Sequence, residues 1–554
     1  MQRGMILRRI TLFSLVIGIA VALTWLVARA MAPGGYSGFE LLTLLAFAGT
    51  APWTALCAAN ALLGFALLLG SRDAPGLVLP AWRLARRGAP SARTAIVICI
   101  RNEEMGGVLP PLERLLYGLR GKGDFRLWFL SDSNAGLAEE EEAIAALATR
   151  HAGVHYRRRV ENTGFKAGNV MDFCDHHAAD AEFMLCLDAD SEMSAEAVLG
   201  LVACMEADAR LAIVQQLIVG RPASAAFPRL FQFGMRAGMR IWATGQAWWQ
   251  GDEGPYWGHN ALIRIAPFRE HARLEPLPDG SAILSHDQVE AVRLHAAGWK
   301  VAALPIEAGS MEGNPPALPE FMARDLRWGA GNMQYFSLFR LPGMTWMGKW
   351  QLAQAILLFA GAPLWVAVLL FSVANAVLGG ETDKPALALA MFATWAAQHA
   401  PKLLGYAEVL CKPALAASYG GRAAFAQGAA LEILFTTLLD PVTLFSKAMF
   451  LAVLPFRRSK GQSGQKWAPQ NRADRGVAWA DAARLLWPHT LFGLAVFALL
   501  PLSAWGWALP WVAGLVLAVP LCVVTSSPGV SAWLRARRVA ATPEELNPPA
   551  APPP

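Results

Sequence analysis

The sequence predicts a mostly parallel α/β domain inserted in an all-α membrane region of about eight spans, and three observations predict it. Of the 554 residues, 55% are hydrophobic and only 16% charged, with 21 Trp and a mean hydropathy of +0.34, against about 25% charged residues in a soluble domain. Long uncharged runs lie towards both ends, whereas charges are frequent from about residue 91 to residue 339. Within that island, continuous apolar runs alternate with helical patterns, as expected of parallel strands covered on both faces.

Residues 10–30 are long enough for the roughly 20 residues of a membrane helix and follow Arg3, Arg8 and Arg9. A signal peptide would have an apolar core of only about 7–15 residues and a small-residue cleavage site, so a retained span is the better reading. A second span covers 41–69, followed by Arg72, Arg83, Arg86 and Arg87. The positive-inside rule places these basic flanks, and the island after them, in the cytoplasm. Residues 1–89 are therefore expected to form a two-span region and 90–340 a cytosolic domain.

Membrane character returns at 350–379 and 387–404, and again near 491–507 and 511–524. If the polar stretch 457–485 and the tail are both cytoplasmic, residues 406–456 must cross an even number of times. Two short spans there are favoured over an interfacial helix with a re-entrant segment, giving four spans or interfacial helices in 341–456. Residues 457–485 then form a cytoplasmic loop, 486–530 two further spans, and the Pro/Ala-rich 531–554 a disordered cytoplasmic tail. The net charge of +6 gathers in short runs beside apolar stretches, which suits such loops and not a nucleic-acid-binding face. Seven Cys without a CxxC pair or zinc spacing read as reduced, buried thiols.

In the island, TAIVICI (94–100), FRLWFL (125–130), VHYRRRV (154–160), FMLCLDAD (183–190) and AIVQQLIV (212–219) are strand-like. Helical patterns fall between them at 107–119, 139–150 and 195–207. Ligands of such sheets bind beyond the carboxyl ends of the strands. There the first strand leads to Asn102, Glu103 and Glu104, the second to Ser131, Asp132 and Ser133, and the fourth to Asp188 and Asp190. No GxGxxG or GxxxxGK[ST] occurs, so neither a dinucleotide fold nor a P-loop is supported.

Asp188 and Asp190, two apart on an extended chain, point the same way. Mg²⁺ or Mn²⁺ is typically held by one or two carboxylates while substrate phosphates complete the octahedron. The alternative is a strand-end turn in which Asp190 helps cap the helix starting near Ser194. ENTGFKAGN (161–169) puts Lys166 in a small-residue turn that opens a helix, where a phosphate could be received. In SHDQVEAVRLHAAGW (285–299), Asp287 stands in a first helical turn, either as a base or as a partner of the helix dipole. ARDLRWGAGN (323–332) sets Arg324 and Arg327 three apart with Trp328 beside them, either lining a site or resting on a membrane surface. His259 and Asn260 of YWGHNA fit a site or a buried core equally well.

Together these motifs, in this order, resemble the family 2 processive glycosyltransferases, which include cellulose and hyaluronan synthases. LDADSEM, YWGHNALIR, ILSHDQVEA and RDLRWGAGN look closer to one branch, the membrane glucosyltransferases of osmoregulated periplasmic glucan synthesis. The resemblance spans about residues 90–530 and implies a GT-A fold, Rossmann-like with a mostly parallel sheet, for the cytosolic domain. It implies an inverting transfer from UDP-glucose to a growing glucan chain, expected to be β-1,2-linked, at a bacterial inner membrane. Asn102, Glu103 and Asp132 would hold the nucleoside, Lys166 and Asp188 the diphosphate, and Asp188 with Asp190 the Mg²⁺ or Mn²⁺. Asp287 would be the general base, while Trp257, His259, Asn260, Arg324, Arg327 and Trp328 would line the diphosphate and acceptor site. Gln470 and Arg472 belong to WAPQNR (467–472), which is similar to the gating loop of these synthases. Arg324 departs from the family's Q-x-x-R-W, where a Gln stands, but a second cation beside a diphosphate is chemically sensible. Membrane lipid and acyl carrier protein are further partners the resemblance implies, with no docking patch visible. Rival readings are a β-1,4-glucan synthase, a polyprenyl-phosphate glycosyltransferase, and a non-catalytic membrane channel or scaffold.

Overall fold

In the computed structural model, which describes residues 2–85, 88, 90–178, 180–459 and 475–548, two long helices precede the sheet. These are α1 (Gln2–Ala30) and α2 (Gly38–Gly70). Seven strands follow: β1 (Thr94–Ile100), β2 (Phe125–Ser131), β3 (Val154–Arg158), β4 (Phe183–Asp188), β5 (Leu211–Gln216), β6 (Ala261–Arg264) and β7 (Lys300–Leu304). Their spatial order is 3-2-1-4-6-5-7, parallel throughout except for β6, which runs antiparallel to both its neighbours.

Register sets the ends of the central strands level. Ile100 lies opposite Ser131, and Cys99 opposite Asp188, so the residues just past β1, β2 and β4 emerge on one edge. Side chains alternate across the sheet. Ile96 and Ile98 pack with α3 (Met105–Leu119), α4 (Leu137–Arg150) and α6 (Ala195–Ala207), whereas Ala95 and Val97 pack with α5 (Phe165–His176). Three short strands, Glu192–Met193, Val219–Gly220 and Ser310–Glu312, form a second sheet with Ser310–Glu312 at its centre. The five strands and three helices read from the sequence all exist with small boundary shifts, although β5 stops at Gln216 and Val219 joins the second sheet. β6 and β7 carry only four and five residues, too few for a period to separate them from the adjoining helices.

The sheet rests on α7 (Ala226–Gln250), α8 (His286–Ala296) and α9 (Leu318–Gln334), followed by α10 (Trp346–Val377), α11 (Lys384–Gln398), α12 (Ala400–Cys411), α13 (Arg422–Ser459), α14 (Trp479–Leu499), α15 (Leu502–Val516) and α16 (Ala518–Ser526). α2 and α7 cross where Gly64 meets Gly245. A Cβ on Gly64 would collide with the Ile241 carbonyl, and one on Gly245 with the Asn60 carbonyl. Small residues at such a crossing let two backbones approach closely.

Among the described residues, five helices are long and apolar enough to cross a membrane, and the bent pair α15–α16 makes a sixth. This is fewer than the eight expected, because 387–404 is divided between α11 and α12, of 15 and 12 residues, and 406–456 carries the single long helix α13 where two short spans were expected. No turn is needed there: Glu432 is met by Lys402 and Tyr406, Asp440 by His399, and Lys447 by Asp325. The last two spans also lie earlier than expected, since the break falls at Leu500, just before Pro501, a position that disfavours helix.

The tail is a second correction. Of the tail 531–554, read as disordered from composition, the described part to residue 548 carries the end of a helix over Pro528–Ala536 and a short helix over Pro543–Leu546, and the first of these packs against α7. Glu545 pairs with the buried Arg229, and Glu544 takes Arg236 through two bonds of 2.8 Å. The tail is held by neutralising buried arginines, a contribution that low hydrophobicity does not reveal. Ending the chain at Ala541 would strip both arginines of these carboxylates, at an expected cost on the order of 3–5 kcal/mol. Thermal unfolding of purified truncated and full-length protein measures it as a marked drop in melting temperature.

Candidate active site

The site grows from the level strand ends. β4 ends on Asp188, and the turn that follows is fixed by Ser191, whose hydroxyl accepts from the Asp188 amide at 3.0 Å. Lys166, at the second position of α5, pairs its Nζ with Asp188 Oδ1 and donates to the Gly258 carbonyl at 2.8 Å. Burial opposes the lysine charge, but Asp188 outweighs it and holds Lys166 above the usual lysine range. Gly258 has φ +90°, and a Cβ there would lie 3.5 Å from the Asp287 Cβ. Lys166, Asp188, Gly258 and Asp287 are therefore consecutive neighbours around one pocket.

Asp287 sits in the first turn of α8. Burial pushes its carboxyl above the ordinary range; His286 offsets this and Glu290 adds to it. Beneath that turn the Tyr335 hydroxyl donates to the Ser285 carbonyl at 2.8 Å, and Gly331 of α9 packs on Ser285.

On the other flank, His259 bonds Glu312 Oε2 at 2.7 Å and lies 3.8 Å from Asp188 Oδ2. Burial disfavours the imidazolium, yet Asp188 and Glu312 raise His259 to about 9. Glu312, despite its own burial, is held low by His259. Asp190 lies against Gly313, whose Cβ would be 3.4 Å from Asp190 Oδ2. Arg324 is buried, feels the charges of Glu312 and Asp190, and stacks on Trp328 with Cζ 4.8 Å from the ring centroid. Its Nε is buried without a hydrogen-bond partner among the described residues.

The description "Glycosyl transferase family group 2" matches residues 183–398. "Glucans biosynthesis glucosyltransferase H" of Xylella fastidiosa (strain 9a5c) is 32% identical over 98% of this chain and 89% of its own length. The protein of that description from Caulobacter vibrioides is 33% identical over 94% of this chain and 82% of its own. This chain belongs to the glucans biosynthesis glucosyltransferase H family. Among solved structures, a mannosyltransferase from Pyrobaculum calidifontis in complex with GDP-Man and Mn²⁺ aligns with 64% of this chain and 99% of its own, at 18% identity and a TM-score of 0.38.

The other residues of the motifs lie as follows. Asp132 is buried and held by Arg159 through bonds of 2.8 and 2.7 Å. Arg159 also donates to the carbonyls of Thr163 and Phe165, tying Asp132 to the turn that presents Lys166. Glu103 is half-buried. Asn102 spends its carboxamide on the neighbouring loop, accepting from the amides of Asn134 and Ala135 at 2.9 and 3.0 Å, so it braces the pocket. Trp257 donates its amide to Gln215 Oε1 at 2.6 Å, and Asn260 is buried, bonding Ser310 and Met311. Arg327 shares the face of α9 with Arg324, and Trp328 is half exposed. Gln470 and Arg472 lie outside the described residues.

Sequence reasoning missed Arg159 and Glu312. Arg159 stands in the run Arg157–Arg158–Arg159, where no spacing marks which cation turns inwards. Glu312 ends a three-residue strand, and only its nearness in sequence to the RDLRW helix could have drawn attention to it. Gly258→Ala tests the close approach at the pocket's centre. A side chain at that positive φ should cost about 1–2 kcal/mol, seen as a lowered melting temperature, whereas Gly107→Ala, where a Cβ meets nothing within 4 Å, should cause no loss.

Proposed function

We propose that the chain is an inverting glucosyltransferase that moves glucose from UDP-glucose onto a growing glucan, with β-1,2 linkage. The observation that carries this reading is the run Lys166–Asp188–Gly258–Asp287, together with the partnerless Nε of Arg324 in the field of Asp190 and Glu312. A buried cationic donor without a partner beside paired carboxylates suits an anion that a divalent cation accompanies, as in a nucleoside diphosphate. The glucosyltransferase family to which the chain belongs supplies the sugar.

Asp188 and Asp190 offer carboxylate oxygens, the donor type that Mg²⁺ or Mn²⁺ takes. Among the described residues no group of three or more His, Cys, Asp or Glu side chains could hold a metal. The remaining ligands would then come from substrate phosphates and water, the usual pattern for Mg²⁺. When bound, such an ion supplies positive charge to the departing diphosphate.

The residues of the chain do the rest. Lys166 and Arg324 take up charge on the diphosphate, and Glu103 and Asp132 hold the nucleoside. Asp287 accepts the proton of the acceptor hydroxyl as its oxygen attacks the anomeric carbon. One displacement inverts that carbon, so an α-linked donor gives a β-linked product. Trp328 and Trp257 offer faces on which a sugar can stack. The basic flanks of α1 and α2 support a cytoplasmic active site, and the surrounding helices offer the glucan a route across the inner membrane.

UDP release from UDP-glucose by the purified protein tests this reading. Asp287→Asn and Asp190→Ala should each lower the rate about 10²–10⁴-fold, and three equal rates would remove it. The pH profile adds a signature, because a base works only when deprotonated. With Asp287 raised by burial, kcat/KM should climb with pH through a midpoint above the ordinary Asp value of about 3.9. That limb should vanish from the residual activity of Asp287→Asn.

A further inference from the structure

We infer that Glu140 is a positioning residue that sets the direction of the hydrogen bonds in the nucleoside-holding loop. The inference rests on the reading above, which places Asp132 on the nucleoside. Glu140 lies in the first turn of α4, where a carboxylate ordinarily faces solvent and pairs with the helix dipole. Here it is only 2% exposed. Three hydroxyls donate to it: Ser131 Oγ and Ser133 Oγ each at 2.6 Å, and the Tyr156 hydroxyl at 2.9 Å.

An ionised carboxylate only accepts, and a serine hydroxyl has one proton to give. Both serines must therefore point their protons at Glu140 and turn their lone pairs outwards. Those lone pairs receive two backbone amides: Ser131 Oγ accepts from the Ser133 amide at 3.2 Å, and Ser133 Oγ from the Asn102 amide at 2.8 Å. The second bond joins the loop after β2 to the loop after β1, and Asn102 returns it through the amides of Asn134 and Ala135. Asp132 stands between the two serines, with its amide on the Ile100 carbonyl and its carboxylate on Arg159. One buried carboxylate thus fixes the polarity of a chain of bonds running through both strand-end loops.

The neutral isostere Gln would present N–H groups to one serine, forcing donor against donor along that chain. Tyr156 provides a control, because from β3 it reaches Glu140 and Ser131 but not Ser133, whose Oγ carries the link to Asn102. The experiment measures KM for UDP-glucose and kcat of the full-length protein for wild type, Glu140→Gln, Ser133→Ala, the double variant and Tyr156→Phe, each with its melting temperature. Glu140→Gln and Ser133→Ala should each raise KM roughly tenfold, with kcat within about twofold of wild type. The double variant should be no worse than either single one, since both break one chain. Tyr156→Phe should leave KM within about twofold. Unchanged KM in both single variants, additive losses, or an equal rise in Tyr156→Phe would overturn the inference while leaving the glucosyltransferase reading intact. Should Glu140→Gln not fold, Ser133→Ala against Tyr156→Phe decides the matter alone. Wild type that does not turn over UDP-glucose would remove the underlying reading and this inference with it.

Discussion

The pocket depends on a balance of charge at the end of β4. A buried strand that finishes in two carboxylates must find positive partners, because unpaired charges in a protein interior are costly. The chain meets this with Lys166 and His259 around Asp188, and with Arg324 in the field of Asp190 and Glu312. The loops after β1, β2 and β4 can converge because the parallel register sets those strand ends level. Sheet and site are thus two aspects of one arrangement.

The same charges fasten the α/β domain to the helices beneath it. α9 carries Arg324 into the pocket while Gly331 and Tyr335 support the turn bearing Asp287. One residue beyond Arg324, Asp325 pairs with Lys447 of α13 at 3.3 Å. α7 is pinned to α2 at the glycine crossing and to the tail through Arg229 and Arg236. A shift of α9 or α13 would therefore reach the residues around Asp287 directly. That coupling is built from short, buried contacts and requires no long-range relay.

Much of this was legible in the sequence. The strand TAIVICI is read to the residue, because six apolar residues after Thr94, bounded by polar ones, leave a buried strand few alternatives. The convergence of Asp132, Lys166, Asp188 and Asp287 follows from their places just past strands or at helix starts. What stayed hidden depends on tertiary partners. Arg159 is one cation among three until the fold turns it towards Asp132. Glu140 reads as a solvated acid among four glutamates until its burial is known. The tail lacks hydrophobic pattern, so only its pairing with α7 arginines explains its order, and α13 keeps acids in an apolar helix because His399, Lys402 and Tyr406 meet them.

Under the proposed function, Asp188 and Asp190 become a full binding site for a divalent ion only when a nucleoside diphosphate joins them. Mn²⁺ titration followed by electron paramagnetic resonance, with and without UDP, tests this directly in wild type and Asp190→Ala. UDP should tighten Mn²⁺ binding on the order of tenfold or more in the wild type, as expected where phosphates complete the ligand shell, and should not do so in Asp190→Ala. Mn²⁺ binding that ignores UDP, or that survives Asp190→Ala unchanged, would contradict the account.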